Sequence, residues 1–266
     1  MNTPSTKTII LALSILLACS SCDVYDWNQN RIQASSDIVN ETRNVSDYSQ
    51  VKVCCSIETE IFQSNSYSME ISGPDNVLPH LETEVSGDKL NIGFEQGYNF
   101  NMNGNRVRVR IGMPQLTGVQ SSSSSDAIVG DFSGQDLHLQ ASSSGEIDFN
   151  SFNGSDIRME ASSSGKINLN CRGSNLQAAS SSSGRIEISG EAESIQAEAS
   201  SSGRILAAEC QVNTARVSAG SSGRIELHVL KELEANARSS GDVYYHGQPD
   251  ILHTETSSSG KVRRRN

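Results

Sequence analysis

A block close to Ala-Ser-Ser-Ser-Gly-charge-Ile returns about every nineteen residues through the second half of the chain. Its glycines are Gly145, Gly165, Gly184, Gly203, Gly223, Gly241 and Gly260, and Asp126 is read as holding the same place in an earlier copy. From Asp126 onward the intervals are 19, 20, 19, 19, 20, 18 and 19 residues. A unit this small cannot bury its own apolar face, so the copies must stack into a solenoid.

Registering the copies gives apolar columns two residues apart, which is the strand period. Two residues after each Gly stand Ile147, Ile167, Ile186, Ile205, Ile225, Val243 and Val262, with Ile128 read as the matching residue after Asp126. Four after come residues such as Phe149, Leu169 and Leu227, and eight and six before come Leu137 and Leu139, Ile157 and Met159, and their successors. Each coil therefore holds two short strands meeting at a Ser-Ser-Gly corner. Nearly all length variation falls between the second strand and the next first strand, so that stretch reads as a surface loop. The fold class is all-β: a single-stranded right-handed parallel β-helix, or β-solenoid, with coils of about 19 residues. At 4.8 Å between strands, the seven intervals stack to about 34 Å.

The corner chemistry is expected to follow from backbone freedom. Glycine tolerates positive φ, and Asp at position 126 tolerates it better than most residues. The serine hydroxyls are expected to bond nearby backbone or the same residue one coil away, as a structural ladder.

The first eighteen residues read as a targeting segment, with Lys7 ahead of an apolar run from Ile9 to Ala18 that is too short to span a membrane. The run ends Leu16-Leu17-Ala18-Cys19, followed by Ser20-Ser21-Cys22. This resembles a bacterial lipobox, which implies lipidation of Cys19, with Cys22 as the alternative, and anchoring rather than spanning. The organisation is then a lipoprotein signal peptide at 1–18, a lipidated N-terminus and polar tether at 19–35, and a solenoid at 36–266. Within the solenoid, 36–115 form irregular first coils and 116–266 the regular repeats. Gly87 lies 39 residues before Asp126, two coils' worth, and is read as an early corner. Residues 96–105, rich in Asn and Gly, read as a flexible excursion, and Lys261 to Arg265 as a charged cap that blocks strand addition at the end.

With repeats and lipobox in hand, the chain resembles the putative auto-transporter adhesin, head GIN domain family. The resemblance covers about residues 36–266. It rests on Thr42-Arg43-Asn44-Val45-Ser46-Asp47-Tyr48, on Asn76-Val77-Leu78-Pro79, on Leu81-Glu82-Thr83-Glu84-Val85 and on the Ser-Gly corners. It rests most specifically on the close from Gly241-Asp242-Val243-Tyr244-Tyr245 through Gly247-Gln248-Pro249 to Ser259-Gly260-Lys261-Val262. It implies a pectin-lyase-like parallel β-helix, an exported protein of the Bacteroidetes kind and a role in adhesion, with no catalytic residue to carry over. Cys54-Cys55, where small residues would be expected, and the heavier serine content of the corners depart from the pattern.

For chemistry, the residue after each corner forms an exposed column: Glu146, Lys166, Arg185, Arg204, Arg224, Asp242 and Lys261. The four consecutive basic residues, Lys166, Arg185, Arg204 and Arg224, are the candidate contact for an acidic glycan or phosphate. The competing reading is a solvated face with local salt bridges. The net charge of −10 argues against nucleic acid. The histidines occupy unrelated repeat positions, Gly-x-Ser-x-Gly and calcium-binding nonapeptides are absent, and nothing has zinc-ligand spacing, so neither catalysis, a metal nor a cofactor is expected. Cys54, Cys55, Cys171 and Cys210 are expected as free thiols, the last two because they stand two coils apart.

The reading is a non-catalytic cell-envelope lipoprotein, anchored to the outer membrane of a Gram-negative bacterium, that attaches to surface glycans or proteins. The alternatives are a polysaccharide-binding or pectin-lyase-like protein and a lipid- or envelope-binding structural protein. Converging carboxylates in a cleft would favour the enzyme, and an open apolar end or cavity the lipid binder. Homo-oligomers through the solenoid ends are a further expectation.

Overall fold

The computed structural model describes residues 30–265. Lipidation at Cys19 or Cys22 and the targeting segment therefore lie outside the described residues. The chain opens with β1 (Arg31–Gln33), β2 (Ile38–Thr42), β3 (Gln50–Val53), β4 (Glu58–Gln63) and β5 (Ser68–Pro74). A 3-10 turn at Leu78–His80 leads to β6 (Leu81–Ser86), β7 (Lys89–Phe94), β8 (Asn99–Asn101) and β9 (Arg108–Met113). The regular part follows as β10 (Gly118–Ser121), β11 (Asp126–Ser133), β12 (Asp136–Ala141), β13 (Glu146–Asn153) and β14 (Asp156–Ala161). It continues with the long strands β15 (Lys166–Ser180), β16 (Arg185–Ala199), β17 (Arg204–Ala219) and β18 (Arg224–Ala237). β19 (Asp242–His246), β20 (Ile251–Thr256) and β21 (Lys261–Arg264) close it.

Successive copies pair in parallel register to form a β-solenoid. A first sheet carries the strands before each corner, and a second sheet those after it. Leu137 pairs with Ile157, Leu176 with Ile195 and Ala215 with Leu233 in the first. Ile147 pairs with Ile167, then Ile186, Ile205, Ile225 and Val243 in the second. These columns are buried and face each other across a narrow core. A further column, Ala141, Ala161, Ser180, Ala199, Ala219 and Ala237, lines the corner and is also buried.

Three sequence expectations change in the structure. The residue in the corner-glycine place of the earlier copy is Ser125, because Asp126 pairs with Glu146, one residue past Gly145. The core residues of that coil are consequently Ala127 and Val129, while Ile128 is 48% exposed. The corner glycines do not take positive φ. The two serines before each of them do, with φ of 47–67° from Ser143 through Ser259. Glycine is needed for a different reason: a Cβ at Gly165, Gly184, Gly203, Gly223 or Gly241 would lie closer than 3.0 Å to the backbone carbonyl of the preceding rung. The serines link the rungs through their backbone, Ser144 N–H donating to Ser163 O at 3.1 Å and Ser164 N–H to Ser182 O at 3.1 Å. Their hydroxyls have no side-chain partner among the described residues. The ladder is thus made by peptide groups, which a left-handed pair of residues turns along the stacking axis.

The return stretch is strand as well. β15 to β18 run unbroken through it, and Phe132, Phe152, Cys171, Gly190 and Cys210 stack in register there. All but Gly190 of these are buried. Length differences are absorbed by bulges, at Phe149/Phe152 and at Ala207/Gln211 for example.

The N-terminal rungs are out of chain order. The first Ser-type corner is Cys54-Cys55-Ser56-Ile57, between β3 and β4, and it stacks on Ser122 to Ser125 through Ser56 N–H to Ser123 O at 3.0 Å. Cys55 and Ser56 take the left-handed pair of conformations, at φ of 72° and 61°. Cys54 and Cys55 are joined as a vicinal disulfide, not free thiols as expected, because the corner turns both side chains to one side of the chain. Cys171 and Cys210 are free and buried. β7 and β9 then pair beneath β3 and β4, so a later segment supplies an earlier rung. Gly87 is the turn of the antiparallel hairpin β6–β7 and not a solenoid corner. β5 adds antiparallel to β9, and β2 to β5. β1 pairs with β8, so Arg31–Gln33 belong to the fold and not to a tether, and the stretch at 96–105 is an ordered lid. Phe94, Tyr98, Phe100 and His80 pack there with ring centroids 4.4–6.2 Å apart.

Candidate binding face

The outward residues of the second sheet form two columns. The first is the one read from the sequence: Glu146, Lys166, Arg185, Arg204, Arg224, Asp242 and Lys261 pair in consecutive rungs. The structure therefore brings the four basic candidates together. It also neutralises most of them. Lys166 pairs with Glu146, Arg185 Nε with Glu187 Oε1 at 2.5 Å, and Arg224 with Asp242 at 3.9 Å. The hydrogen bond with Glu146 pushes the Lys166 ammonium above its ordinary value. Only Arg204 lacks an ion-pair partner among the described residues. Its neighbour two positions on is Leu206, where Arg185 has Glu187.

The second outward column carries Ile128, Asp148, Asn168, Glu187, Leu206 and Glu226. It lines two hollows that meet at Ile128. One, of 510 Å³, runs over Asp148, Asn150, Asn168, Asn170, Glu187 and Leu206. The other, of 850 Å³, lies over Asn40, Thr42, Glu60, Glu70 and Arg110. Side-chain amides and carboxylates are tied into rows along this face. Asn168 donates to Asp148, and Asn150 and Ser151 both donate to Asp131 at 2.6 Å. Those two donors hold the Asp131 carboxyl below its usual range, Ser151 first. Arg108 and Arg110 are paired with Glu58 and Glu60, and Arg110 also stacks on Phe62 at 4.5 Å. The face thus combines fixed polar acceptors and donors with the apolar steps Ile128 and Leu206, and it bears no net positive strip.

Toward the last rungs the same face holds a cluster that no local pattern announces. Glu226 accepts two hydrogen bonds from Arg265 at 2.8 Å and lies 3.1 Å from His246 Nε2. Arg265 stacks over Tyr244 at 3.9 Å. Against the upward push of burial, the His246 and Arg265 contacts hold the Glu226 carboxyl below its ordinary value. His246 stands opposite His228 in register, which correct alignment of the copies finds. Arg265 is 39 residues from Glu226 and could not be placed that way. Among the described residues no group of three or more His, Cys, Asp or Glu could hold a metal ion, and no helix is long and apolar enough to cross a membrane.

Solved structures share this architecture. A putative lipid binding protein from Parabacteroides distasonis superposes with a TM-score of 0.81 at 23% identity, covering 89% of this chain and 100% of that one. A putative adhesin from Parabacteroides merdae gives 0.78 at 16% identity, and one from Parabacteroides distasonis 0.78 at 21%, with the same coverage of both chains. At these identities the likeness shows the fold alone. No curated protein matches the chain. The Ser-Gly corners, the stacked rungs and the strand register agree with a family match over residues 47–249, and the chain belongs to the putative auto-transporter adhesin, head GIN domain family.

Proposed function

We propose that this chain is a non-catalytic envelope lipoprotein, anchored through Cys19 or Cys22, that attaches to a neutral polyhydroxylated glycan along the hollow face of the second sheet. The carrying observation is the continuity of the two hollows at Ile128, with amide and carboxylate rows on either side of apolar steps. Sugar hydroxyls pair with side-chain amides and carboxylates, and the C–H faces of the rings rest on apolar side chains such as Ile128 and Leu206. The family's adhesin description and the adhesin names of two structural relatives support an attachment role over catalysis. The ion pairs on Lys166, Arg185 and Arg224 weigh against an anionic polymer as the main ligand, since of the four basic candidates Arg204 alone has no ion pair among the described residues.

The test is a binding screen of the full chain against neutral and acidic bacterial and host glycans. Asn168→Ala with Leu206→Asp should abolish binding to a neutral glycan, and Arg204→Ser should leave it intact. Loss with Arg204→Ser, and only on acidic glycans, would move the site to the basic column. Absence of binding to every glycan would overturn the reading. A lipid- or envelope-binding role has in its favour the exposed Ile251 and Leu252 on β20, and loss of vesicle binding on Leu252→Glu would support it.

A further inference from the structure

The two ends of the stack expose most of the misplaced apolar surface. Large exposed apolar side chains include Ile38 at 50% and Val39 at 41% on β2, and Ile251 at 47% and Leu252 at 45% on β20. Leu252 belongs to the interior column of Leu233, which is fully buried, and it is exposed because β20 has no further strand beside it among the described residues. Among the described residues β2 pairs only with β5, β6 only with β7, β20 only with β18 and β21 only with β19. Four strand edges therefore offer unpaired peptide groups, and unpaired edges with exposed apolar residues are templates for strand addition.

The ends also differ in charge. On β21, Lys261, Arg263 and Arg264 have no ion-pair partner among the described residues. On β6, Glu82 and Glu84 have none either, and Arg43, which reaches the Leu81 carbonyl on that strand, is already paired with Glu41. β20 and β6 lie in the first sheet, and β21 and β2 in the second. Straight stacking of two copies would set Ile251 and Leu252 against Glu82 and Glu84. A half-turn about the stack axis instead sets Ile251 and Leu252 against Ile38 and Val39, and the three cations against the two carboxylates.

We propose that the C-terminal end of one copy docks on the N-terminal end of another in this half-turned, head-to-tail arrangement, extending both sheets through the junction. The contact is heterologous and does not close on itself, so it builds linear filaments. A second copy fits better than a lipid surface, because hydrocarbon leaves strand edges without hydrogen-bond partners. The charged end does not forbid pairing, as a cap of like charges would. It selects the opposite end as the partner.

The experiment is sedimentation velocity of the purified full chain carrying Cys19→Ser and Cys22→Ser, so that no acyl anchor drives association. The species should grow with protein concentration, more so at low salt. The Lys261→Glu, Arg263→Glu, Arg264→Glu variant and the Glu82→Lys, Glu84→Lys variant should each need at least about tenfold more protein to associate. An equimolar mixture of the two variants should associate again, since each end then meets its complement. All the changed side chains are on edge strands, and far-ultraviolet circular dichroism checks that each variant is folded. A wild type that stays monomeric, variants that associate as it does, or a mixture that stays apart would each overturn the proposal. So would monomers that float with phosphatidylcholine vesicles and lose that binding on Leu252→Glu, which would assign the end to lipid.

Discussion

The N-terminal rungs and the repeating rungs reach the same cross-section by different means. In the repeats, every rung is placed by the one before it in sequence, and the Ser-Ser-Gly corner sets the register. In the N-terminal part, β7 and β9 lie beneath β3 and β4 although they come later in the chain. There β2, β5 and β6 join through antiparallel pairs that leave β2 and β6 outermost, and Phe94, Tyr98 and Phe100 pack together in the lid. Among the described residues the far end has no antiparallel strand. A periodic sequence can propagate a stack but cannot end one, because an ending needs residues that differ from the repeat. The irregular first third departs from the repeat, whereas β20 and β21 keep its parallel register through the last described strands.

That contrast can be broken most sharply at its glycines. Gly184→Ala places a methyl against the Ala161 carbonyl of the neighbouring rung and should cost about 3 kcal/mol, the upper end of the usual overpacking range. Gly87→Ala, in the hairpin of the irregular part, meets nothing within 4 Å but keeps a φ of +64°, so it should cost about 1 kcal/mol of backbone strain. Denaturant unfolding of both variants decides the matter. Equal costs would mean that the neighbouring rung gives way to the added methyl at the corner.

The second contrast lies within one column. Leu233→Ala removes a fully buried side chain and should cost about 3 kcal/mol. Leu252→Ala, in the same column but at the bare end, should cost about 0.5 kcal/mol or less in the monomer. A large cost at Leu252 under associating conditions, vanishing on dilution, would sharpen the head-to-tail arrangement.

The smallest expected effect concerns Glu226. Its carboxyl is held below the ordinary value of 4.5 in the folded state by His246 and Arg265, despite the opposing effect of burial. A carboxyl that binds its proton less tightly when folded contributes stability that is complete above its unfolded value and is lost as pH falls through the folded one. Acid unfolding of Glu226→Gln should lack that component, so its stability should fall less steeply than the wild type's on the acid limb. A variant with an unchanged acid limb would show that the cluster holds the tail without contributing to the pH dependence.

Much of this architecture was legible without coordinates. The columns from Ile147 to Val243 and from Leu137 to Leu233 are strictly local in origin, each residue recurring at one place in each copy, and they face the core as read. The one-residue error at Asp126 arose because the earlier copy has Ser125 in the glycine place, while Asp126 with Ile128 two residues on imitates the glycine-to-isoleucine spacing. Such a slip exchanges inside for outside, which is why Ile128 appeared to be core. The basic column was legible as a column, but not the ion pairs that engage three of its four basic residues. Its ion pairs involve Glu146 and Asp242 in neighbouring rungs and Glu187 two residues along one strand. Side-chain reach, not sequence spacing, determines those contacts.

By itself the sequence determined the period, the inward columns, the corner positions and the family. Those features repeat at short range, and stacking copies a local pattern without altering it. The tertiary structure alone decided which atoms need the glycine and that the serines carry the left-handed turns. It also decided that Cys54 and Cys55 close the first corner, and that a later segment builds the lowest rung. Each depends on what lies one rung away or at the end of the stack. A carbonyl pressed against a Cα, or an edge with nothing beside it, is a relation between distant parts of the chain that no single repeat contains.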